Sequence, residues 1–69
     1  MNEIKKQIDE MIKTLKSIEF QIRCLAGAQR NEKRYVLHSQ LEEARQMIIE
    51  SIGNLQDSER VLVVYEWEE

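Results

Sequence analysis

A mainly α fold, an antiparallel two-helix hairpin with a short C-terminal β-strand, is what this sequence predicts. Three observations carry that prediction. Two apolar seams with heptad spacing run along the chain, and they are out of phase with each other. Proline is absent and there are only two glycines, so little interrupts a helix. The last segment changes character and becomes β-branched and aromatic.

The first seam is Ile4, Ile8, Met11, Leu15, Ile18, Ile22 and Leu25, spaced alternately by four and three residues. This is the pattern of a helix that packs on another helix at a shallow angle. It predicts a helix over about residues 2–28. Lys5, Lys6, Asp9, Glu10, Lys13, Lys16 and Glu19 fall between the seam positions and read as a solvated face. Asn2 is a good start residue, and Glu3 suits the positive end of the helix dipole. Ile12 and Phe20 lie off the seam and widen the stripe, which points to more than one packing neighbour.

The second seam is Leu37, Leu41, Ala44, Ile48, Ser51 and Leu55, with Met47 and Ile52 beside it. Extending the first seam lands on Gln29, Glu32, Val36, Ser39 and Glu43, which are mostly polar. One continuous helix would turn its apolar stripe away there. A turn over about 29–33 and a second helix over about 34–55 follow. Gly27 and Asn31 are the residues near that turn most tolerant of a left-handed backbone, and Gly53-Asn54 marks the expected end of the second helix. Beyond it, Arg60 to Trp67 places Val61, Val63, Tyr65 and Trp67 on one face at strand periodicity. A strand over about 60–67 is the expectation. The alternative continues the helix and packs Tyr65 and Trp67 across a subunit boundary.

A chain of 69 residues is one small domain, and a core of that size contributes only about 3–5 kcal/mol. One cysteine makes no internal disulfide, and Cys24 and His38 are too few for a metal site, so no metal or cofactor is expected. Self-association is the remaining remedy. Ile8, Leu15, Ile22, Leu41, Ile48, Val63, Tyr65 and Trp67 are the residues expected at the oligomer interface. No long apolar run or export signal is present, so no membrane partner and a cytoplasmic location are expected.

Charge is uneven. Residues 1–35 carry eight Lys/Arg against five Asp/Glu, whereas residues 36–69 carry two against eight. The net charge of -3 argues against a coat for long nucleic acid. Arg23, Arg30, Lys33 and Arg34 cluster near the expected tip, with Tyr35, His38, Ser39 and Gln40 beside them. Guanidinium groups fit phosphate oxygens and an aromatic ring offers a stacking surface, so Arg30, Lys33, Arg34, Tyr35, His38 and Ser39 form a candidate site for a small anionic nucleotide. The plain alternative is a turn kept soluble by its charges.

Catalysis is not expected. Cys24 lies beside the first seam and reads as a small core residue, as Met11 and Met47 read as core filling. Glu42-Glu43 and Glu68-Glu69 are adjacent rather than opposed, and no phosphate loop, HExxH, CxxC or GxSxG motif occurs.

The second-helix stretch from Arg34 to Met47, with Arg34, Ser39 and Leu41-Glu42-Glu43-Ala44, resembles the helical-hairpin family of phage anti-defence proteins. That family comprises the anti-CBASS and anti-Thoeris sponges. The resemblance implies a small homo-oligomer in the host cell cytoplasm. It would hold a cyclic dinucleotide, trinucleotide or cyclic ADP-ribose signal without cleaving it and so withhold it from its effector. Ser39-Gln40-Leu41-Glu42 is one residue short of the Ser-Gln-x-Leu-Asp motif of small sporulation-type aspartyl-phosphate phosphatases. A slip of one residue turns a helical side chain by about 100°, so that chemistry is not expected. The competing expectation is a protein-interaction module or inhibitor. It would dock through its apolar helix face or add its terminal strand to a partner's sheet.

Overall fold

The computed structural model describes the backbone of residues 2–68 and the side chains of residues 3–65. Two helices, α1 (Asn2–Asn31) and α2 (Tyr35–Glu68), lie antiparallel in a rod with extents of 56 × 15 × 9 Å. A 34-residue helix at the standard rise is about 51 Å long, so α2 nearly spans the rod by itself.

The turn is a tight helix stop built from the backbone. Lys33 N–H donates to the Arg30 carbonyl (3.0 Å) and Arg34 N–H donates to the Gln29 carbonyl (2.9 Å). These are the paired bonds of a Schellman cap, which needs a left-handed residue just past the helix end. Lys33 takes that role with φ 62°, while neither glycine has a positive φ. The expectation that Gly27 or Asn31 would supply the left-handed backbone is corrected accordingly, since both lie within α1. Arg34 then starts α2 by accepting the N–H of His38 at 2.9 Å.

The expected C-terminal strand is absent: residues 60–67 belong to α2, which runs unbroken past Gly53-Asn54 to Glu68. Among the described residues there is no strand at all. Two physical reasons account for this. Leu62 lies seven residues beyond Leu55 and fourteen beyond Ile48, so the heptad row continues through the valines. A strand in this chain would also leave its backbone groups unpaired, while a helix satisfies them within the segment. The β-branched residues cost only a few tenths of a kcal/mol each in a helix. Gly53 is half-buried, with open space where a Cβ would stand, so it does not mark a helix end.

The contact between the helices is narrower than the seams suggest. Among the described residues, Ile8, Ile12 and Ala26 are the buried apolar side chains, with Ala26 at 0% exposure. Leu15, Glu19 and Ile22 are half-buried on α1, facing His38, Leu41, Arg45, Ile48, Ile52 and Leu55 on α2. Of the first seam, Ile8, Leu15 and Ile22 meet α2, whereas Ile4, Met11, Ile18 and Leu25 stay 37–51% exposed. Ile12, Glu19 and Ala26 take their place in the contact.

Candidate functional site

Two regions present themselves, the tip and one long face. At the tip, Arg30 ends α1, Lys33 holds the left-handed turn position and Arg34 opens α2. All three are exposed. Arg34 Nη1 donates to Gln29 Oε1 at 3.1 Å, tying the guanidinium across the turn. Tyr35 is 60% exposed and shares one side of α2 with exposed Ser39, four residues on. His38 is turned away from them. Its Nδ1–H donates to the Ala26 carbonyl at 2.8 Å, so the ring clasps α2 to α1 and its role is local structure. Five of the six sequence-predicted binding residues are therefore exposed at or beside the turn, and the sixth is engaged inside the hairpin.

Behind the tip, the interhelix contact carries a charged layer that includes Glu19, a residue the seam spacing places on the solvated face. Arg45 donates from Nε to Glu19 Oε1 at 2.6 Å and from Nη1 to Glu42 Oε2 at 2.9 Å. These two bonds, with that to Glu19 the stronger, hold the guanidinium still more firmly protonated. Nearer the chain ends, Glu59 lies against Asp9. The hydrogen bond between the two carboxyls, followed by partial burial, pushes Glu59 above the usual carboxylate range, and Lys5 opposes this only in part. In the fold, Glu19 shares the row of the buried Ile12 and Ala26, and Arg45 and Glu59 share the row of the half-buried Ile52.

The residues predicted for an oligomer interface divide. Ile8 is buried, and Leu15, Ile22, Leu41 and Ile48 are half-buried along the hairpin's own contact. Val63 and Tyr65 are exposed on the last turns of α2, and the Trp67 side chain lies outside the described residues. Cys24 and Met11 are exposed, as is Met47 at 64%, which corrects their assignment to the core.

Among the described residues, eight exposed large apolar side chains lie on one side of the hairpin. Ile4, Met11, Ile18 and Leu25 recur every seven residues on α1, and Leu37, Met47, Val61 and Tyr65 flank them on α2. A groove of about 580 Å³ opens along this side, lined by Gln7, Glu10, Met11, Thr14, Leu15 and Leu55. It lies toward the chain termini, away from the tip. The opposite side is mixed: Lys16, Arg23 and Arg30 lie there with the exposed Phe20, Tyr35, Ile49 and Val63, and the Arg23 guanidinium stands 5.2 Å from the Phe20 ring centre.

Nothing among the described residues gathers three or more metal-ligating side chains, and no described helix is long and apolar enough to cross a membrane. No protein-family model, no curated protein and no solved structure matches this chain.

Proposed function

We propose that this protein works by binding another macromolecule and not by catalysis, as a helical interaction module whose working surface is the apolar side of the hairpin. The observation that carries this is the seven-residue row of Ile4, Met11, Ile18 and Leu25, left 37–51% exposed on a chain in which 33% of residues are charged. A row of large apolar side chains in water is unfavourable unless something covers it, and contiguous patches of this kind mark interaction sites. A photo-crosslinking residue at position 18 tests the assignment in cells expressing the full chain. Covalent adducts to protein from position 18, with few from position 20 on the opposite side, are expected. Adducts from position 20 alone would remove this face from the function.

A second proposal, sequestration of a small anionic nucleotide as in the anti-defence family the chain resembles, is favoured by the exposed Arg30, Lys33 and Arg34 beside exposed Tyr35. Native mass spectrometry with cyclic dinucleotides, trinucleotides and cyclic ADP-ribose isomers tests it. Uptake of an intact ligand that Arg34→Ala abolishes would support sequestration. Absence of uptake across the panel would discard it.

A further inference from the structure

We infer that the partner on the apolar face is a second copy of this chain, so that two hairpins close into a four-helix bundle. The inference rests on the interaction-module reading and names its partner.

The first support is a mismatch of axes. Within the hairpin, α1 meets α2 along the rows of Ile8 and Ile12. The apolar stripe of α1 is instead centred between the rows of Ile8 and Ile4, about 50° further round the helix. On α2 the stripe of Leu41 and Leu37 is displaced to the same side of the hairpin. A helix with a single neighbour aims its stripe at that neighbour. A helix in a four-helix bundle aims it at the bundle axis, diagonally between two neighbours, and this is the direction both helices take. The row pointing straight across the hairpin is correspondingly mixed, with Glu19 and Arg45 paired in it.

The second support is area. A folded monomer of this mass exposes about 4,600 Å². The hairpin exposes 5597 Å², roughly 1,000 Å² more. That excess is on the scale of the roughly 800 Å² of accessible surface that each partner contributes to a standard stable interface. Excess and requirement agree in scale.

The third support is charge. The rows of Ile4, Gln7 and Ile8 on α1, and of Leu37, Gln40 and Leu41 on α2, contain no Asp, Glu, Lys or Arg from Ile4 to Tyr65. A charged face set against its own copy brings like charges together, whereas an uncharged one meets no such repulsion. A different partner is ordinarily selected by complementary charge, and these rows carry none, although Glu10 in the neighbouring row lines the groove. A second hairpin brings an uncharged stripe of equal length, with large residues available for the groove beside Met11.

The test is the mass of the full-length protein in solution across micromolar concentrations, by light scattering and native mass spectrometry. Two copies per particle are expected. Ile18→Lys should weaken the pairing by about a hundredfold or more, because each subunit would bury an unpaired ammonium. Phe20→Lys, on the opposite side, should leave the particle unchanged. Should Ile18→Lys unfold the chain, the wild-type melting temperature decides instead: rising with protein concentration supports pairing, and constant overturns it. A folded wild-type monomer, or a dimer dissociated by Phe20→Lys and indifferent to Ile18→Lys, would also overturn it. Crosslinks from position 18 separate the two readings. Adducts joining two copies support the bundle, adducts to a different polypeptide overturn it while leaving the module in place, and no adducts there remove both.

Discussion

The two ends of the hairpin are held together differently. Near the turn, the helices are joined by the backbone cap at Lys33, the His38–Ala26 hydrogen bond and the Glu19–Arg45–Glu42 cluster, around the fully buried Ala26. Near the chain termini the contact relies on Ile8 and Ile12, a groove opens beside Met11, and two carboxyl groups face each other at Asp9 and Glu59. Directional polar contacts fix register at the first end. The second end depends on apolar contact that the hairpin alone completes only in part. A helical pair can thus be specified at one end and left for a neighbour to finish at the other.

The largest expected effect comes from breaking the weaker end. Ile12→Ala removes one of its two buried isoleucines and should cost about 2–4 kcal/mol, measured by urea denaturation, which approaches the whole stability of a chain this size. A cost under about 0.5 kcal/mol would mean that Ile12 is not core. A smaller change sharpens the stronger end. Lys33→Gly relieves a left-handed lysine and should raise stability by about 1 kcal/mol, and destabilisation would show that the lysine side chain contributes more than its backbone strain costs.

The smallest effect concerns pH. The Glu59 carboxyl is raised in the folded state, so its contribution is fully present below the ordinary carboxylate range and is lost as pH climbs through the elevated value. Wild-type melting temperature should therefore fall over that mildly acidic interval. Glu59→Gln, neutral throughout, should flatten the profile and melt higher at neutral pH. An unchanged profile in the variant would place the pH dependence elsewhere.

Much of this architecture was legible in the residues. The two helices, their antiparallel return near residue 33 and both apolar seams follow from four-and-three spacing and from the phase change between them. The tail was misread because Val61, Val63 and Tyr65 satisfy a period of two, while Leu55 and Leu62 also keep the heptad row, and a local pattern cannot decide between them. The polar layer was missed for a different reason. Glu19 and Arg45 are ordinary surface residues until a fold sets them 2.6 Å apart. At the tip, the predicted residues are exposed except His38, whose ring serves the interhelix contact.

The three-residue turn also sets an order of events in folding. His38 and Ala26 are 12 positions apart in the chain, Arg45 and Glu19 are 26 apart, and Glu59 and Asp9 are more distant still. Each successive contact closes a loop already shortened by the one before, so the hairpin zips from the turn outward and its termini join last. Amide hydrogen exchange should follow the same gradient, slowest around Ala26 and fastest toward residues 2–8 and 59–68. The end that closes last in folding is also the first to open, and it is the end that carries the groove.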